Sequence, residues 1–232
     1  MNHIVLRKIA ISAAAVSLGG FMAVLLLCSV LVNDPVRCYA DSDSYQTSGG
    51  VEGIRISCTP LTVESIASYD GAFYEDGSGR EVMGVAAIML RNSSDVTIPF
   101  ASVIVYTANC RYEFEATVLP PGAAVLVPEL NGTVLSEHKI ERCFGWITVS
   151  QSALPEAVRI EISDGLVIAN QSEKPVRDLT IYHRTYMNEG NFYMGGKAFK
   201  TVIAYIGPGE RIYGMPENFA PGYSEIVWYT EQ

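Results

Sequence analysis

The stretch Asn92-Ser93-Ser94, followed later by Pro121-Gly122, returns further along the chain as Asn170-Gln171-Ser172, followed by Pro208-Gly209. In both copies one apolar segment precedes the Asn-x-Ser turn, a second follows it, and another comes after the Pro-Gly pair. Matching turn signals in the same order are typical of tandem copies of one supersecondary unit. The sequence therefore predicts two related domains.

The segments between these turns have the patterns of β-strands. In Tyr112-Glu113-Phe114-Glu115-Ala116-Thr117-Val118, apolar residues alternate with polar ones, as in a strand with one buried face. Asp76-Gly77 and the Pro-Gly pairs are residues that tight turns favour. No stretch beyond residue 33 keeps a helical apolar period, so we expect an all-β protein with two antiparallel β-sandwiches, residues 54–150 and 151–232.

The ends of the two copies also match. They are Trp146-Ile147-Thr148 and Trp228-Tyr229-Thr230, which aligns the two tryptophans of the chain. The copies differ in length, because the second copy is longer between Tyr186 and Lys197. This insertion is the main departure from a plain duplication.

Composition narrows the class of partner. The chain has 232 residues and a formal net charge of −9, with a sequence pI near 4.8. This length suits two small domains, since most folded domains have ~100–150 residues. Nucleic-acid phosphates bind clustered Lys and Arg, and no basic cluster appears beyond residue 40. The composition therefore argues against a nucleic-acid partner.

An apolar run at residues 9–32 carries no charged side chain and follows two basic residues. A helix of this length crosses a hydrocarbon core of ~30 Å, and the basic residues in front of it indicate a cytoplasmic N-terminus. We expect residues 1–33 to be a single-pass transmembrane helix that anchors the protein in the cell membrane. Residues 34–53 would then be a flexible stalk that holds both domains outside the cell. The alternative is a signal peptide, cleaved near Ala40, and a secreted protein.

Three cysteines fall in the first domain: Cys58, Cys110 and Cys143. Disulfides form outside the cytosol, and a bridge between Cys110 and Cys143 is the pairing that we favour. The alternative is three buried thiols that behave as small apolar side chains. No Cys-x-x-Cys spacing occurs and histidines are few, so the sequence predicts no metal site and no cofactor.

Several segments of the first copy carry a resemblance to a known family. They are an apolar strand leading into Arg91-Asn92-Ser93-Ser94, then Val103-Ile104-Val105-Tyr106, then Leu119-Pro120-Pro121-Gly122. With them the chain resembles the FxLYD-type immunoglobulin-like domains of bacterial surface and secreted proteins. The second copy is similar in Ile168-Ala169-Asn170-Gln171-Ser172 and Pro208-Gly209-Glu210. The resemblance implies tandem immunoglobulin-like sandwiches in an extracytoplasmic setting, and it implies no catalytic residues.

Catalytic signatures are weak. Only His138 and His183 lie beyond the apolar run, and they fall in different domains, so neither has a converging nucleophile and carboxylate. We interpret Asp70, Glu75 and Asp76 as the solvated tip of a hairpin. The sequence therefore predicts that the protein is not an enzyme. A hydrolase with dispersed carboxylates is the weakest of the alternatives.

The insertion is the most distinctive surface candidate. The stretch 182–196 holds four aromatic residues and two methionines around a glycine-rich turn, and Tyr186, Phe192 and Tyr193 are the candidate partner-binding residues. Alternatively, these rings extend the core and the hairpin packs against the first domain. We predict a cell-surface binding or adhesion module that acts through its second domain on a protein or glycan. A structural or accessory envelope ectodomain, paired with another membrane protein or with itself, is the second reading.

Overall fold

The described part of the chain folds as β-strands. The computed structural model describes residues 36–38, 44–46, 52–148, 158–162 and 166–230. These residues form fifteen strands and no helix. In chain order the strands are β1 (Val36–Cys38), β2 (Ser44–Gln46), β3 (Glu52–Arg55), β4 (Leu61–Phe73), β5 (Arg80–Asn92), β6 (Ile98–Tyr106), β7 (Arg111–Leu119), β8 (Ala124–Pro128), β9 (Arg142–Thr148), β10 (Val158–Ile162), β11 (Leu166–Asn170), β12 (Val176–Met187), β13 (Phe192–Ile206), β14 (Arg211–Gly214) and β15 (Ser224–Thr230).

These strands pair into three sheets. One sheet has the order β1-β9-β6-β7, a second has the order β10-β11-β14, and the third has eight strands in the order β15-β12-β13-β8-β5-β4-β3-β2. Neighbours in the described sheets are antiparallel, apart from the parallel pair of β8 and β13. The prediction of an all-β protein is confirmed.

Two large hydrophobic cores lie between the sheets, and a third, small cluster consists of Phe73, Val82 and Val85. The larger core takes side chains from β4, β5 and β8 on one side and from β6, β7 and β9 on the other. The smaller core forms around Leu179 and Ile181 of β12 and Ile168 of β11. The alternation of the sequence explains the burial, because Tyr112 and Phe114 of β7 are buried while Glu113 between them is half-buried.

The strand pairing of the first core is repeated in the second. Strand β5 pairs with β4 and β8, and β11 pairs in the same way with β10 and β14. Likewise β6 pairs with β7 and β9, and β12 pairs with β13 and β15. Each half therefore contains two three-stranded layers with the same order of connections.

A buried asparagine holds the same position in each half. Asn92 ends β5 and Asn170 ends β11, and each side-chain amide donates to three main-chain carbonyls. The acceptors are Val96, Leu119 and Pro120 for Asn92, and Lys174, Ile206 and Gly207 for Asn170. Each amide oxygen in turn accepts from the serine two residues on. The recurring Asn-x-Ser turn is thus a bracket that ties the strand end to two loops.

The two tryptophans do not hold equivalent positions. Trp146 lies opposite Ser102, the fifth residue of β6, whereas Trp228 lies opposite Tyr182, the seventh residue of β12. The seventh residue of β6 is opposite Phe144 instead. Aligning the copies by their tryptophans is therefore wrong by two residues, because the pairing register and not the sequence match decides which residues face each other.

The two halves share one sheet. The first residues of β13 extend past the core of the second half. Two of them, Tyr193 and Met194, pair with Val125 and Leu126 of β8. This pairing covers the edge of β8 that β5 leaves open. Pro35–Gln232 form one compact unit. The insertion that lengthens the second copy is thus the element that joins the halves.

Several predicted segments lie wholly or partly outside the described residues. The apolar run 9–32, the cleavage position near Ala40 and the predicted boundary between the domains, at residues 150 and 151, are outside them. Within the predicted stalk 34–53, β1 pairs with β9 and β2 pairs with β3. Within the part of the chain that the structure describes, no helix has the length and apolar character needed to span a membrane.

Candidate functional site

The predicted partner-binding residues come together at the β12–β13 hairpin. Tyr186 is paired with Tyr193, and Met187 is paired with Phe192. The tyrosine rings lie 4.9 Å apart, and the Tyr186 hydroxyl donates to Asn191 Oδ1 in the turn. Asn191 has a φ of 56°, a left-handed conformation that asparagine tolerates. Tyr186, Phe192 and Tyr193 are all half-buried.

Tyr193 faces the first half of the molecule. Its ring packs against the larger core, and its hydroxyl donates to Glu225 Oε2 at 2.7 Å. Burial, and then the adjacent Glu225 carboxylate, raise the pKa of the Tyr193 hydroxyl, so it remains a neutral donor. This residue therefore contributes to the joint between the halves as well as to the hairpin surface.

Arg184 is the strongest polar feature of this joint, and sequence reasoning missed it. The side chain is fully buried, and its guanidinium donates to the carbonyls of Val118 and Thr117 in β7. It also donates to the carbonyls of Gly195 and Gly196 in β13. Burial lowers the pKa of Arg184 to about 10. The sequence offered no signal for it, because β12 also carries other polar side chains such as Arg177 and His183.

Glu75 lies on the other side of the same joint. It is only 2% exposed, so the interpretation of Glu75 as part of a solvated hairpin tip is wrong. Its Oε1 accepts from the Gly196 amide at 2.8 Å, and its main-chain carbonyl accepts from Lys197 Nζ. Burial raises the pKa of the Glu75 carboxyl, although the Gly196 amide and the nearby Lys197 oppose the shift. Asp76, by contrast, does lie at the exposed turn and accepts from Ser78.

A cavity of about 250 Å³ lies beside the hairpin, between the two halves. Its apolar wall comes from aromatic rings and methionines, and its polar wall comes from Glu75, Thr185 and Lys197. The main apolar residues are Tyr69, Tyr74, Phe199, Met187 and Met194. Phe199 is held edge-on against Tyr74, with ring centroids 5.3 Å apart. The cavity is therefore a mainly apolar site with few polar groups, which is the usual character of a ligand pocket.

A second concavity, of about 660 Å³, lies between β10 and β15. Ile160, Ile226 and Tyr229 are among its lining residues, and Glu225 is its one carboxylate. Glu75 is likewise the one carboxylate that lines the cavity at the joint. Neither of these concavities brings together the pair of carboxyl groups that glycoside hydrolysis uses.

His183 is buried and does not project into either concavity. Its ring lies between those of Phe199 and Phe219, at centroid distances of 5.4 and 5.2 Å. Burial lowers the pKa of the imidazole, which favours its neutral form. Among the described residues, no cluster of three His, Cys, Asp or Glu side chains could hold a metal ion.

The three cysteines of the first half differ in burial. Cys143 is buried, and Cys110 packs against the same core, while Cys58 is exposed. Burial raises the pKa of the Cys143 thiol to about 12. The bridge between Cys110 and Cys143 stays a prediction, and a thiol count on the protein isolated without reductant would test it.

The chain matches no model of a known protein family, and no curated protein matches it significantly. We therefore infer its function from its own residues.

Proposed function

We propose that this protein is a non-enzymatic cell-surface binding module. It consists of two tandem immunoglobulin-like β-sandwiches of the FxLYD type, held outside the membrane by the apolar run at residues 9–32. Supporting this proposal, the two halves share one pattern of strand pairing, and the apolar run has the length and flanking charges of an anchor. The partner is a protein or glycan outside the cell.

The distribution of exposed apolar side chains carries the proposal. Ten large apolar residues are exposed among the described residues, and six of them belong to the second half. They are Met187, Val202, Tyr205, Tyr213, Met215 and Tyr223. Exposed aromatic and methionine side chains are enriched where proteins bind partners. The second half, which has the smaller core, thus exposes more large apolar side chains for partner binding than the first half does.

The surface next to the hairpin is the best-defined part of this region. Tyr223 is 63% exposed, and its carbonyl accepts from the Tyr186 amide at 2.6 Å. Met187, at 38% exposure, lies on the same hairpin. We define the hairpin surface as Tyr186, Met187, Phe192, Tyr193 and Tyr223. Its rings are positioned by strand pairing, so partner binding would immobilise few side chains.

Photo-crosslinking on intact cells tests this proposal. A benzophenone amino acid replaces Tyr223 in the full chain, and the same replacement at Tyr213 is the matched control. Tyr213 is 69% exposed but lies on β14, in a different sheet. We expect a discrete adduct from position 223 and a much weaker one from position 213.

The nature of the adduct separates the proposed function from its alternative. An adduct with a different protein, or with a glycan, supports a binding module. An adduct of the chain with itself supports the structural ectodomain. Equal labelling from both positions, or none from position 223, contradicts a role for the hairpin surface.

A further inference from the structure

We propose that the cavity between the two halves is a binding site for a small aromatic carboxylate. Its apolar wall receives a single ring, and Lys197 at its mouth receives the carboxylate. This site shares Met187 with the hairpin surface, but it does not depend on the proposed function.

The volume of the cavity suits one aromatic ring. At about 250 Å³ it is larger than an engineered apolar cavity of ~150 Å³ that binds benzene in another protein. Rings from Tyr69, Tyr74 and Phe199 line it. Met187 and Met194 add polarisable sulfur, which makes favourable contacts with aromatic rings. A flat, compact apolar ligand therefore fits the wall better than an extended polar one.

The accessible charge at the cavity is positive. Two charged side chains line it, Glu75 and Lys197. The Glu75 carboxyl is sealed, because Oε1 accepts from the Gly196 amide and Oε2 has almost no accessible surface. Lys197 is exposed, and its ammonium uses one donor on the Glu75 carbonyl. An ammonium has three donors, so Lys197 retains two for a ligand carboxylate.

Charges of both signs lie behind the wall, so the free donors of Lys197 decide the preference at the mouth. Arg184 is buried nearby and carries a second positive charge, which attracts an anion from within the protein. The negative charges of Glu75 and of the neighbouring Glu115 oppose it, and burial raises the pKa of the Glu75 carboxyl. Thr185 adds a hydroxyl to the lining. An anionic head group at the mouth is thus favoured over a cationic one.

The mouth of the cavity is open to solvent. Tyr74 is 39% exposed and Met187 is 38% exposed, and Lys197 is exposed as well. These three residues come from the β4–β5 turn, from β12 and from β13. A ligand therefore has access without unfolding of either half.

Methionine-methyl NMR on the full chain in detergent tests the proposal, with benzoate as the probe. Met187 and Met194 line the cavity and report binding, whereas Met83 and Met215 are exposed elsewhere and are internal controls. We expect saturable shifts at Met187 and Met194 at millimolar benzoate, and none at the controls. Benzylammonium has the same ring with the opposite charge, and it should bind at least tenfold more weakly.

A pair of lysine variants tests the charge. Lys197→Met keeps the aliphatic stem and should weaken benzoate binding about tenfold or more, as expected for a lost charge-assisted hydrogen bond. Lys200→Met removes an exposed lysine of the same strand and should leave the affinity within about twofold. If Lys197→Met fails to fold, the comparison of benzoate with benzylammonium on the unchanged protein decides. Equal binding of the two probes, shifts at Met83 and Met215, or no response at Met187 and Met194 up to tens of millimolar would each overturn the site.

Discussion

Two asparagines, Asn92 and Asn170, show what a single residue contributes to this fold. Both are buried, at 0% and 1% exposure, and each makes hydrogen bonds with both the amide and the carbonyl of its side chain. A buried carbonyl that loses its donor costs free energy, because water cannot replace the missing partner. The Asn-x-Ser triplets therefore recur as structural brackets.

Replacement of Asn92 tests this role. Asn92→Ala leaves three carbonyls without their donor and should lower the free energy of unfolding by about 3 kcal/mol. Asn131 is the matched control, because it begins the similar triplet Asn-x-Thr but is exposed and makes one side-chain bond, to Glu129 at 3.3 Å. Asn131→Ala should cost less than about 1 kcal/mol. Urea titrations of both variants measure the difference, and equal losses would contradict the bracket.

At the scale of elements, the β12–β13 hairpin is the joint of the molecule. The end next to its turn meets β7 and β8 of the first half, where Arg184 donates to β7 and Tyr193 pairs with β8. Gly196 sits at the closest approach. A Cβ atom there would overlap the Glu115 carbonyl oxygen and lie 2.8 Å from Val127 Cγ1. Only glycine lets the strands approach this closely.

Substitution of Gly196 should therefore loosen the joint. Gly196→Ala should lower the free energy of unfolding by about 2 kcal/mol or more, because a clash with main-chain atoms requires backbone movement. Gly214→Ala in β14 is the control, since nothing lies within 4 Å of its added Cβ. That variant should stay within about 0.5 kcal/mol of the parent. Thermal melts of the two variants give the comparison, and a tolerated Gly196→Ala would show that the close approach is not rigid.

At the scale of the whole molecule, the eight-stranded sheet makes the halves depend on each other. The parallel pairing of β8 with β13 and the buried contacts of Glu75 and Arg184 all cross between them. Separating the halves would break the β8–β13 pairing and these hydrogen bonds, and it would expose the apolar surface that Tyr193 covers. We therefore expect the two halves to unfold together.

The two tryptophans of the chain provide one probe for each half. Trp146 lies in β9 and Trp228 lies in β15, so Trp228→Phe reports on the first half and Trp146→Phe reports on the second. Circular dichroism measures how much each substitution changes the overall stability. After correction for that change, the denaturation midpoints of the two variants, followed by fluorescence, should coincide. Adding Gly196→Ala to both variants should separate the two midpoints. Distinct midpoints in the absence of that change would mean independent halves.

Local chemistry is what the sequence by itself determined. The alternation in Tyr112–Val118 placed a strand correctly, and Asp76-Gly77 marked a real turn, where Gly77 has a φ of 79°. The all-β class follows from the same signals. These signals work because alternation and positive φ depend on neighbouring residues alone.

Only the tertiary structure decided how distant segments meet. The Glu75 carboxylate and the Gly196 amide are 121 residues apart, and nothing near Glu75 in the sequence distinguishes it from a solvated acid. The offset of Trp146 from Trp228, the burial of Arg184 and the cavity mouth at Lys197 likewise depend on which strands pair and in what register. Register and long-range contact are settled by the packing of the whole chain, because a shift along a strand changes every facing residue at once.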